Sequence, residues 1–161
     1  MDTSVFTQPI SNLYQWTDVI NRNLAYIKKE LPKLSIPAEI RDEISAMCDG
    51  FQWMLSDVRK EIRNLEDKLG MHPGEEPFDP HITNPDPQLT IGLIQRWLLE
   101  ELQTMHELIQ KLDKLATQDS QSYDLVALLV RESATNILKA YLGTQNDLKF
   151  IVGQLEQHGG K

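Results

Sequence analysis

The stretch from Gly70 to Gln88, GMHPGEEPFDPHITNPDPQ, holds five of the chain's eight prolines. Proline fixes its own φ, has no N–H to donate, and drives the residue before it out of the helical region. Prolines at 73, 77, 80, 85 and 87 therefore exclude a continuous helix here and split the chain into two halves. Gly70 is a natural helix stop, because glycine takes the left-handed cap conformation without a Cβ penalty. Asp86-Pro87 is a natural start, a capping carboxylate followed by a residue suited to the first helical position. One helix is expected to end near Leu69 and another to begin near Pro87.

On both sides of this divide, apolar residues recur at steps of three and four, the period of an amphipathic helix. Residues 9–31 carry Ile10, Leu13, Ile20, Leu24, Ile27 and Leu31, with Trp16 and Val19 widening the stripe. Residues 37–69 carry Ile40, Ile44, Met47, Phe51, Met54, Val58, Ile62, Leu65 and Leu69, a sustained heptad seam. Gly50 interrupts it at a cost of about 1 kcal/mol against alanine, and a close helix contact is the expected reason. Residues 89–116 carry Ile94, Leu98, Met105, Leu108, Leu112 and Leu115. Residues 122–157 carry Val126, Val130, Ile137, Tyr141, Leu148, Ile151, Val152 and Leu155. No stretch alternates with the period of a strand.

These patterns predict an all-α chain, a four-helix bundle of two antiparallel hairpins in a single domain over 1–161, with the linker at 70–88. A helix of about 30 residues is about 45 Å long. A 19-residue proline-rich linker reaches up to about 60 Å, enough to run back along the bundle. A crossing linker would give the connection order of ferritin-like folds; up-down-up-down with a protruding linker is the alternative.

Composition narrows the function classes. The 161 residues carry a net charge of −8, which disfavours nucleic acid and anionic membrane as partners. No apolar run approaches the length of a membrane span, and the N-terminus has no signal-peptide pattern. Cys48 is the single cysteine, so neither an internal disulfide nor a cysteine-based zinc site is available. A reducing, cytoplasmic location is the expectation. Cys48 lies beside the seam and reads as core rather than nucleophile. No Ser-His-Asp or Cys-His arrangement and no glycine-rich phosphate loop is legible, and no cofactor is expected.

Asp57 and Glu61, followed by Leu69-Gly70, resemble the ferroxidase-site helix of the starvation-induced mini-ferritins. That resemblance implies a carboxylate metal site at Asp57 and Glu61; Glu101 is a further candidate ligand from its place on the third helix's apolar face. The chain departs from the pattern in having no Glu-x-x-His among its four histidines, which leaves such a site incomplete.

Glu101 falls in the middle of the third helix's apolar face, and Thr17, Ser133 and Thr144 fall within the stripes of theirs. A buried carboxylate needs partners or a proton. These residues, with Tyr141 as another donor, are expected to form a polar layer that sets register, as buried polar groups do in coiled coils. Other apolar residues point away from the stripes. Trp53 lies opposite its seam, Leu128, Leu138 and Leu142 back the fourth helix, and Leu99 backs the third. A clustered apolar patch is the mark of a partner surface. The reading is therefore a non-catalytic helical bundle that self-associates or docks a protein partner through its second and fourth helices. A ferritin-like metal binder and a carrier of small apolar ligands are the alternatives.

Overall fold

The computed structural model describes residues 2–33, 37–75, 86–118 and 124–159. Within 101–130 it describes side chains only at Gln103, His106, Glu107 and Gln110, and none beyond Gln157. The described chain is helical, with no strand: α1 spans Thr7–Glu30, α2 Ala38–Lys68, α3 Pro87–Gln118 and α4 Asp124–Gly159. Short 3₁₀ turns at Thr3–Phe6 and Leu31–Lys33 flank α1.

The ends of α2 and α3 follow from the residues at them. Gly70 has φ +75°. Beside it, the Gly70 N–H donates to the Asp67 carbonyl and the Met71 N–H to the Glu66 carbonyl, both at 3.1 Å. Those two bonds make a Schellman cap and satisfy carbonyls that the helix leaves open. At the other side of the linker, Asp86 Oδ1 accepts from the Gln88 N–H at 3.0 Å, and α3 begins at Pro87.

Pro9 and Glu30 are buried beside the main stripe of α1 and its flanking turns, whose residues are Phe6, Ile10, Leu13, Thr17, Ile20, Leu24, Ile27 and Leu31. The stripe residues alternate steps of four and three, so the stripe stays on the neighbouring helices along the whole length. The stripe of α2 differs from the expectation. It runs Ile44, Cys48, Phe51, Leu55, Val58, Ile62, Leu65 and Leu69, while Met47 and Met54 are only half-buried. An unbroken four-three alternation passes through Cys48 and Leu55. The two methionines sit one residue off the seam and pack against its edge. Gly50 is exposed, and a Cβ there would meet nothing within 4 Å. The expected close helix contact at Gly50 is absent.

Each helix packs on two neighbours: α1 on α2 and α4, and α3 on α2 and α4. Along α1 and α2 the contacts run in opposite directions, from Tyr14–Glu66 through Asp18–Arg59 to Asn21–Gln52. Along α1 and α4 they also run oppositely, from Asn12–Asp147 to Asn23–Asn136. Lys68 Nζ donates to Thr90 Oγ1 at 2.5 Å, so the last turn of α2 lies beside the first turn of α3. A linker crossing the bundle would separate these two ends by about 45 Å. The described end of α2 and start of α3 therefore lie together, as in the up-down-up-down alternative; the linker between them lies outside the described residues.

Candidate functional site

Six large apolar side chains are exposed among the described residues: Trp53, Leu89, Leu99, Leu138, Leu142 and Phe150. Leu99 on α3 and Leu138 and Leu142 on α4 are 43%, 44% and 53% exposed. Gln95 Nε2 donates to Gln145 Oε1 at 3.2 Å and bridges α3 to α4. At 3.6 residues per turn, Leu99 lies about 40° round α3 from Gln95, and Leu138 and Leu142 about 20° and 60° round α4 from Gln145. The three leucines thus line the outer edge of one helix–helix seam. Arg96 and Glu100, an ion pair at 3.2 Å, stand beside them on α3. Leu128 lies outside the described side chains.

Trp53, 79% exposed, is elsewhere. It belongs to α2, and α2 and α4 each pack on α1 and α3 instead of on each other. The residues expected to dock a partner through the second and fourth helices therefore stand on separate faces. The side chain pointing away from the α2 stripe cannot join the α4 leucines across the intervening helices. Trp53 borders a shallow open depression with Asp49, Gln52 and Ser56.

The expected polar layer is not joined by hydrogen bonds among the described residues. Thr17 is buried, but its hydroxyl donates to the Tyr14 carbonyl at 2.7 Å and accepts from Arg59 Nη1 at 2.8 Å. The buried Thr144 hydroxyl donates to the Ala140 carbonyl of its own helix at 2.8 Å. The half-buried Tyr141 hydroxyl accepts from Gln145 Nε2 at 3.0 Å. Ser133 is buried, but it lies eleven residues from Thr144 on one helix, about 16 Å along the axis, too far for a shared layer. The Glu101 side chain lies outside the described residues.

A denser polar network, which periodicity did not single out, closes the α1/α2 face at the end where the linker leaves. Tyr14 Oη donates to Glu66 Oε2 at 3.1 Å, and the Arg59 guanidinium lies 5.2 Å over the Tyr14 ring. Arg63 reaches Glu66 and Glu75, both at 3.4 Å, and contacts the His72 ring. His72 in turn faces Glu66 at 3.4 Å and Glu75 at 3.5 Å. Burial of the phenol, then the neighbouring Glu66 carboxylate, raise the Tyr14 pKa above its ordinary value; Arg63 and Arg59 oppose the shift. Charge is largely compensated within this network, which fits a clamp on the residues after Gly70. The sequence signal that could have found it is the Arg63–Glu66–Asp67 spacing at the end of α2.

Asp57 is exposed and 3.8 Å from Lys60, and Glu61 is half-buried. Among the described residues, no three of His, Cys, Asp and Glu come together as a metal site would require. Cys48 is fully buried, and desolvation pushes its thiol pKa up to about 12, which makes it a poor nucleophile. No described helix is long and apolar enough to cross a membrane. Compared with protein-family models, curated proteins and solved structures, the chain matches none.

Proposed function

We propose that this protein works by association and not by catalysis: a helical bundle whose α3/α4 edge docks a protein surface, a second copy of itself first. The observation that carries this reading is the row of Leu99, Leu138 and Leu142, each more than two-fifths exposed along one seam. Apolar side chains gathered on one edge gain free energy when a partner covers them, about 25 cal/mol per Å² removed from water. The net charge of −8 favours a protein over nucleic acid as that partner. The single cysteine, buried in the core, suits a reducing cytoplasmic setting.

Sedimentation equilibrium tests the reading. The intact chain is expected to self-associate, and Leu138→Glu with Leu142→Glu to shift it to monomer with unchanged helicity. A monomeric parent chain overturns self-association. A parent whose association is untouched by the double substitution overturns this edge as the surface. Trp53→Ser serves as the control on a different face and is expected to leave the assembly state unchanged.

A further inference from the structure

A second site lies on the opposite flank of α4, in its seam with α1. Arg22, Asn23, Tyr26, Glu132, Ser133 and Asn136 line an open depression of about 460 Å³ there. Its polar groups are fixed on one side and unmet on the other. Asn23 Nδ2 donates to the Val19 carbonyl at 2.8 Å, which sets the amide, and Asn136 Nδ2 donates to Asn23 Oδ1 at 3.2 Å. Asn136 Oδ1 is left as an acceptor. Arg22 Nε reaches the Asp18 carbonyl at 3.4 Å, which steadies the guanidinium stem.

Three groups in the depression have more capacity than the described residues use. Arg22 and Glu132 carry opposite charges, yet neither forms an ion pair among the described residues. Ser133 is 5% exposed, and its hydroxyl has no hydrogen-bond partner among the described residues. A buried hydroxyl without a partner is costly, so a polar atom in the depression would be drawn to it.

We propose that this depression binds a small zwitterion of the amino-acid or dipeptide type. Its carboxylate would pair with the Arg22 guanidinium, which is shaped to hold a carboxylate through two N–H groups. Its ammonium would donate to Glu132 and Asn136 Oδ1. The Ser133 hydroxyl would bond a polar atom between the two charged ends. An anion alone leaves Glu132 unmatched, and a cation alone leaves Arg22 unmatched; a molecule with both charges matches both. The volume lies within the usual range for small-ligand sites. The proposal is independent of the α3/α4 leucine edge, and the glutamate substitutions there are expected to leave it intact.

The test is a ¹⁵N–¹H NMR titration of the full chain with L-alanyl-L-alanine, with acetate and ethylammonium as probes of each charge alone. Saturable shifts confined to Asn23, Ser133, Asn136 and their neighbours are expected with the dipeptide, and only weak ones with either single-charge probe. Arg22→Gln and Glu132→Gln each remove a charge-assisted bond from an exposed side chain and should weaken binding about tenfold. Ser133→Ala should also weaken binding, while leaving the melting midpoint equal or higher because a buried unpaired hydroxyl is gone. Absence of saturable shifts overturns the proposal. So does acetate binding as tightly as the dipeptide, or full affinity retained in both charge variants.

Discussion

Gly143 has no room for a side chain. A Cβ built there would lie 2.5 Å from Cε2 and Cζ2 of Trp16, and that indole is held in place because its Nε1 donates to Asp147 at 2.9 Å. Alanine would gain about 1 kcal/mol of helix propensity, but overpacking against a tethered ring costs about 1–3 kcal/mol. Gly143→Ala is expected to lower the urea midpoint, and Gly50→Ala, with open space around it, to raise it by about 1 kcal/mol of stability. Matched denaturant curves check both. Tyr14 gives a pH prediction. Its folded pKa is raised above the ordinary value, so the folded state prefers the neutral phenol. That contribution is complete below the unfolded tyrosine pKa of about 10 and is lost as pH climbs from there toward the folded value. Tyr14→Phe should show a shallower loss of stability above pH about 10 than the parent, measured by urea titration at several alkaline pH values.

At the scale of the element, caps decide where helices stop and start. Gly70 at φ +75° holds the Schellman end of α2, and Asp86 holds the start of α3. Gly70→Ala should cost about 1 kcal/mol, because an L side chain disfavours that conformation. Asp86→Ala should cost about the same through the lost N-cap. Hydrogen exchange checks both: protection should fall at the Met71 amide in the first variant and at the Gln88 amide in the second. These two boundaries were legible because each depends on the chemistry of two or three adjacent residues. The α2 stripe was less so. Met47 and Cys48, or Met54 and Leu55, are adjacent apolar residues, and the stepping chosen from the sequence picked the wrong member of both pairs.

For the whole molecule, the first helix leans heavily on the last. Trp16, Asn12 and Asn23 all reach α4 across the α1/α4 seam. A chain ended after Glu75 keeps α1 and α2 but exposes the faces that α4 and α3 cover. Such a fragment is expected to lack a cooperative thermal transition by circular dichroism, since helices in proteins draw most of their stability from tertiary packing and half of it is gone here. A sharp transition in that fragment would mean the first hairpin folds alone. Among the site residues, the outward direction of Trp53, Leu99, Leu138 and Leu142 was readable from 100° steps round a helix, because exposure depends on the helix's own periodicity. That Trp53 stands on a different face from the α4 leucines was not readable, because neighbour order is a property of the assembled bundle.

The sequence by itself determined that the chain is helical, where the proline-rich divide falls, and which residues cap the helices beside it. Those are local matters, settled by backbone sterics and side-chain periodicity within a few residues. Only the tertiary structure decided that α3 begins beside the end of α2, that Thr17 bonds its own helix and Arg59 of α2 while Thr144 bonds its own helix, and that Arg22, Glu132 and Ser133 share one depression. Those depend on which faces meet, and a linker long enough to reach either end of the bundle leaves that choice to packing.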